Sequence, residues 1–253
     1  MKPAVTASRR AAIQAGSLAG LVALWWAAAT AAQSPALPGP VAVWAAFLEQ
    51  VATDGYFGHL AATLARVAAA FLLAMVIGSA LGIFLGSRRL ADHLFGGWLV
   101  FLLNLPALVV IILCYIWFGL TEVAAIAAVS INKIPNVTAT LREGARALSR
   151  DLDEMAWVYT YSTTRRIRHV ILPQMASYFA VAARNGMALV WKIVLVVEFL
   201  GRPNGVGFQL HTYFQLFDVA TILAYAIGFI IVVLAIEHLL FEPWERYATR
   251  WRR

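Results

Sequence analysis

Residues 151–173, DLDEMAWVYTYSTTRRIRHVILP, crowd Asp151, Asp153, Glu154, Arg165, Arg166, Arg168 and His169 between two long apolar runs. Three carboxylates lead, Met155, Ala156, Trp157, Val158 and Tyr161 follow, and three arginines close the segment. Carboxylates in a first helical turn are favoured by the positive end of the helix dipole. Apolar residues rimmed by charge suit the docking of another protein. Asp151 with Glu154 three residues on reads as a loose capping box, with Ser149 as a rival cap; either starts a short helix near residue 150. The chemistry on offer is recognition. Catalytic patterns are missing: there is no His-Glu-x-x-His, no nucleophile elbow and no Gly-x-x-x-x-Gly-Lys-Ser/Thr. Glu237-His238 is a lone pair. His59, His93, His169, His211 and His238 sit at run ends or in connections, none at ligand spacing, so no metal site is expected. Cys114 is the single cysteine, which excludes an intrachain disulfide and any thiolate cage.

A second group lies where charge is expensive. Lys133, Arg184 and Lys192 fall well inside apolar runs. A cation at a bilayer centre costs about 2.5–3.5 kcal/mol on insertion scales, so it faces a cavity or a partner. Arg184, Trp191 and Glu198 follow heptad-like spacing and share one helix face; Lys192 lies off that seam. With Asn104, these residues are candidates for lining a pathway of positive potential, suited to an anion or a carboxylate- or sulfonate-bearing solute. Structural pairing is the alternative, with Lys192 snorkelling and Arg184 bonding carbonyls of a neighbouring helix. Asn104 beside Pro106 and Asn136 beside Pro135 also fit the satisfaction of kinked backbone.

The elements that must hold these residues are set by composition. Of 253 residues, 62% are hydrophobic and 13% charged, against about 25% charged in soluble domains. That excludes a soluble globular protein. The net charge of +7 does not point to nucleic acid, because the basic residues cluster by connection. Six runs, at about 11–32, 60–85, 94–118, 123–141, 175–200 and 219–241, have the roughly 20 mostly apolar residues that a crossing needs. Lys2, Arg9, Arg10, Arg88, Arg89, Arg142, Arg146, Arg150, Arg165, Arg166, Arg168, Arg246, Arg250, Arg252 and Arg253 all fall on one side of a six-span chain. The other side holds only Arg202. Basic connections stay in the cytoplasm, so both termini and the 151–173 stretch are placed inside. The fold expected is all-α and polytopic. Residues 1–58 form a first span plus an outer helix, 59–241 a core with a cytoplasmic loop at about 142–173, and 242–253 a basic tail. The first run, behind Arg9-Arg10, also has features of an export signal; five further runs favour its retention as a span. Val41, Trp44, Phe47, Leu48 and Val51 share one face of a short helix, expected to lie on the outer membrane surface or to pack on the bundle. Pro106 and Pro135 are expected to kink their spans. Pro173 is expected to end the basic segment and let the fifth span start afresh.

The chain resembles the transmembrane permease subunit of binding-protein-dependent ABC importers, of the nitrate, sulfonate and taurine type. The family's cytoplasmic signature reads E-A-A, three residues, G, nine residues, I, one residue, L-P. Glu154, Met155 and Ala156 take the first places, Thr160 the glycine place, Val170 the isoleucine place, and Leu172-Pro173 the last two. "ALPGPVAVWAAF", "TLARVAAAF", "IWFG" and "EFLGRPNGVGFQL" extend the likeness over most of the chain, with Arg66 at a family position read as structural. The resemblance implies a type I importer permease fold in a bacterial inner membrane, with no catalysis and no cofactor in this chain. ATP and magnesium would belong to two partner ATPase subunits. A second permease copy, an extracytoplasmic solute-binding protein and membrane lipid would complete the assembly. It also implies that the short helix sits in a cleft of the ATPase, with Glu154 facing a basic group and Met155, Ala156 and Trp157 filling the cleft. Arg165, Arg166 and Arg168 would then hold the loop near anionic headgroups. An ion-gradient-driven transporter and an intramembrane enzyme are the alternative readings.

Overall fold

The computed structural model describes residues 7–52, 55–241 and 243. Among them there are helices and connections but no strand. In chain order the helices are α1 (Ala7–Ala32), α2 (Pro40–Ala52), α3 (Tyr56–Ser87), α4 (Arg89–Leu103), α5 (Ala107–Phe118), α6 (Glu122–Arg146), α7 (Arg150–Val158), α8 (Thr163–Arg166), α9 (Leu172–Gly201), α10 (Val206–Gln215) and α11 (Val219–Ile236). Lys2 and the basic tail expected over 242–253, apart from Pro243, lie outside the described residues.

The centre is the α3–α6 pair. Helix α3 presents Arg66, Ala70, Ala74, Gly78 and Gly82, every fourth residue, and all are buried. Small residues at this spacing make a flat stripe, which lets two backbones close where lipid supplies no hydrophobic drive. At Gly82 a Cβ would come within 2.7 Å of the Thr138 carbonyl oxygen and 2.8 Å of Leu141 Cβ. Ser130 Oγ reaches the Ala70 carbonyl at 3.4 Å, and Thr138 Oγ1 donates to the Gly78 carbonyl at 3.3 Å. The numbers climb together, so the two helices run parallel. Helix α9 runs the other way: Gly186 lies against Lys133, and Tyr178 against Gly144.

Among the described residues, four helical segments are long and apolar enough to cross a membrane: Ala15–Ala32, Tyr56–Ser87, Thr163–Gly201 and Val219–Leu240. Helix α6 is not among them. It carries Asn132, Lys133, Asn136 and Arg142, and it tolerates them because protein covers it. Its 25 residues extend about 37 Å at 1.5 Å each, from Glu122 beside Arg66 of α3 to Ala145 beside Gly86, and alongside α9 from Arg202 just past its end back to Tyr178. It therefore crosses whatever they cross.

The third predicted span is not one helix. Helices α4 and α5 meet at 93°. Pro106 lacks an N–H and forces Leu105 out of helical geometry, and Asn104 Nδ2 donates to the Val100 carbonyl at 2.8 Å. The break is far sharper than a kink. Pro135, by contrast, sits inside an unbroken α6. Pro173 does not stop a helix either. Residues 163–201 run on through a π-helical turn at Ile167–Ile171, where Leu172 N–H bonds the Ile167 carbonyl. The widened turn makes room for a residue that can neither donate nor pack against a normal preceding turn.

Helix α2 packs on α11 and divides its predicted face. Val43 is buried and Phe47 meets Tyr56 edge-on at 5.6 Å, while Val41, Trp44 and Leu48 are exposed. Helix α1 stands at the edge, chiefly against α2, tied by Trp25 Nε1 to the Pro38 carbonyl at 3.0 Å.

Overpacking a close helix contact costs about 1–3 kcal/mol. Gly82→Leu is expected to lower the melting temperature in detergent. Gly96→Ala, with nothing within 4 Å of the added carbon, is expected not to. Equal behaviour of the two variants would contradict the close α3–α6 approach.

Candidate functional site

The predicted recognition helix is present as α7. Ser149, the rival cap, is the cap: its Oγ accepts from Leu152 N at 3.4 Å. Ser149 N donates to Gln174 Oε1 at 2.9 Å, and Gln174 Nε2 bonds the Val170 carbonyl at 2.9 Å, so the start of α7 is tied to the start of α9. The other end closes with two reciprocal bonds. Thr160 N donates to the Trp157 carbonyl and Tyr161 N to the Ala156 carbonyl, both at 2.9 Å. This is a Schellman ending, which needs a left-handed residue at its turn. That residue is Thr160, at φ 49°. A β-branched side chain seldom adopts this geometry, which glycine takes freely.

Ala156 is buried beneath the helix, Met155 is half-buried, and Asp151 and Glu154 are exposed. Trp157 is 83% exposed, with Val158 and Tyr159 beside it. Asp153, one of the three leading carboxylates, holds Arg166 through two bonds of 2.6 and 2.8 Å. Arg165 lies over the Tyr161 ring at 4.6 Å. Two of the three arginines assigned to headgroups therefore brace the loop from within. Val170 is buried, and Leu172 and Pro173 are exposed.

The pathway candidates scatter. Lys133 is almost fully buried, its stem against Gly186. Asn104 is exposed and spent on backbone. Arg184 and Lys192 line one cavity of about 300 Å³ between α9 and α11, with Trp191, Phe229 and Glu237. Arg184 Nε lies 3.8 Å from Glu237 Oε1.

Glu198 is 0% exposed and belongs to a hub the sequence reading missed. Arg66 donates through Nε and Nη2 to the two oxygens of Glu122 at 2.8 and 2.7 Å, through Nη1 to Glu198 Oε1 at 2.6 Å, and to the Asn204 carbonyl and Oδ1. Glu198 Oε2 accepts from Thr63 Oγ1 at 2.8 Å and Gly207 N at 2.9 Å. Arg202 adds bonds to Glu122 and the Leu120 carbonyl. Two cations and two anions thus cancel, and they join α3, α6, α9, the 202–205 loop and the start of α10. Gly205, at φ 111°, folds that loop over the Glu198 carboxylate. The clue in the sequence was an arginine and a glutamate, each near the outer end of an apolar run.

The family model described as "Binding-protein-dependent transport system inner membrane component" matches residues 74–241. The chain belongs to this family. It is 28% identical over 216 residues to the putative aliphatic sulfonates transport permease protein SsuC of Bacillus subtilis, covering 85% of this chain and 78% of that one. It is 25% identical over 251 residues to the taurine transport system permease protein TauC of Escherichia coli, covering 96% and 91%. Among solved structures, the MetNI methionine ABC transporter in inward-facing conformations superposes with a TM-score of 0.63 at 17% identity, over 74% of this chain and 93% of that one. That likeness shows the fold.

The protein is thus a non-catalytic, multi-pass inner-membrane permease subunit of an ABC importer for a small solute. Permeases of this kind work with an ATPase and a binding protein supplied as separate chains. In this permease, Thr160→Gly removes a left-handed strain of about 1–2 kcal/mol, offset by about 0.5–1 kcal/mol of added chain entropy. In that variant the backbone amides at positions 160 and 161 are expected to be more strongly protected against deuterium exchange, relative to their intrinsic rates, than in the wild type. Faster exchange would show that threonine is not strained there.

Proposed function

We propose that α7 is the coupling helix, gripped by a separate ATPase whose ATP-driven closure tilts two permease copies between inward- and outward-open states. The observation that carries this reading is the surface of α7. Glu154, Trp157, Val158 and Tyr159 are exposed on a helix capped at both ends and braced from behind. A mobile connector has no use for such bracing; a lever does. The basic connections place this helix on the cytoplasmic side, with both termini inside. Glu154 would meet a basic group of the ATPase, and Trp157 would enter its cleft. ATP and magnesium would bind the ATPase.

The solute is a small anion, delivered by an extracytoplasmic binding protein. The named relatives are described as a putative aliphatic sulfonates transport permease and a taurine transport system permease. The α9–α11 cavity sets Arg184 and Lys192 in apolar walls, with Glu237 the acid among the described lining residues, and low-dielectric surroundings strengthen the pull of cations on an anion. One such subunit encloses half a pathway, so a second copy would face it across a twofold axis.

Glu154→Arg is expected to abolish uptake by the reconstituted complex, together with the binding protein's stimulation of ATP hydrolysis, while the protein stays in the membrane. Wild-type uptake by that variant, or uptake that persists without ATP and collapses with the proton gradient, would overturn the docking assignment. Arg184→Gln and Lys192→Gln are each expected to reduce sulfonate or taurine uptake about tenfold, equivalent to about 1.4 kcal/mol, with hydrolysis still stimulated. Unchanged uptake in both variants would place the solute elsewhere.

A further inference from the structure

Four features connect α7 to the far side of the permease. Only residues 147–149 separate it from the end of α6. At that end Asp92 of α4 pairs with Arg142 and Arg146, the former at 2.7 Å. Along its length α6 is pressed on the small-residue stripe of α3 and continues unbroken through Pro135. At its other end Glu122, the first residue of α6, receives two donors from Arg66, whose remaining donors go to Glu198 and Asn204.

We infer that Arg66 is a positioning residue for transport: it conveys displacement of α6, set by α7, to the outer end of α9 and the 202–205 loop. This rests on the reading of α7 as the coupling helix. An apolar cluster would hold the helices together equally well, since a buried ion pair adds little net stability over well-packed hydrophobic residues. What a guanidinium adds is fixed geometry, because its planar fork sets the direction of every bond. Arg66 bonds three elements at once, with its donors divided between Glu122, Glu198 and Asn204, so none of the three shifts without pulling on the others. The loop and the start of α10 are held twice more, by Val206 N on Thr63 Oγ1 at 2.8 Å and by Gly205 N on His59 Nδ1 at 3.0 Å, both from α3. Slack at the hub would let the inner end of α6 move while the outer mouth stayed still.

The test is the number of solute molecules imported per ATP hydrolysed, measured in vesicles on the complete complex with its binding protein. Glu122→Gln suits it, because Glu122 is half-exposed, glutamine keeps an acceptor oxygen for Arg66 and Arg202, and Glu198 stays as the buried counter-charge to Arg66. Arg66→Lys keeps the charge but cannot make the forked contact. Both variants are expected to keep stimulated hydrolysis while import per ATP falls about tenfold, equivalent to about 1.4 kcal/mol of lost coupling. A wild-type ratio in Glu122→Gln, whatever its thermal stability, overturns the inference. So does joint loss of hydrolysis stimulation and uptake, which is the signature of failed docking at α7 and not of a slack hub.

Discussion

A guanidinium buried among membrane helices has no water to fall back on, and the rest of this permease is arranged around satisfying one. Arg66 needs acceptors for five N–H groups in a fixed plane. It finds them on α6, on α9 and on the loop after α9. That need sets the level at which three helices meet. It also explains why Glu122 begins α6 and Glu198 nearly ends α9. Breaking a buried pair by removing one partner is strongly destabilising, by about 3–5 kcal/mol. The hub therefore acts as a constraint on which packings are allowed.

From that constraint the other parts take their places. Because α6 is fixed at its outer end and laid along the α3 stripe, it is shielded from lipid and can carry asparagines and a lysine. Because α9 is fixed at the same end and runs back antiparallel, Arg184 and Lys192 face α11 at mid-depth. Because α7 follows α6 so closely, it stands at the opposite end of the same pair of helices, its aromatic surface turned outward. The exposed aromatic surface of α7 and the basic cavity occupy different places but share one framework.

Much of this was legible in the sequence. Long apolar runs marked the crossing helices, since lipid tolerates nothing else at that length. The 151–173 charges marked α7, and Thr160 stood out as a threonine where glycine belongs. Other features were not legible for identifiable reasons. Pro106 announced a disturbance, but its angle depends on what α4 and α5 pack against. Pro173 looked like a stop because a π-helical detour leaves no compositional trace. Arg66 and Glu198 are 132 positions apart, and no periodicity links partners across such a distance. Asp153 and Arg166 were seen as separate surface charges, because only the folding back of the loop makes them a pair. Glu198 was read as a pathway residue on spacing alone, and spacing cannot tell which side of a helix is enclosed.

The π-helical turn at Ile167–Ile171 has a geometric consequence. Adding one residue to a turn advances everything after it by close to 100° of azimuth relative to an uninterrupted α-helix. The bearing of Arg184 and Lys192, measured against the loop that α7 belongs to, is therefore set by a single inserted position a dozen or more residues away. A one-residue insertion or deletion between Thr163 and Leu172 would swing the basic pair off the α11 groove without altering any side chain in it, which gives descendants of this chain a simple way to re-aim the charge lining their cavity.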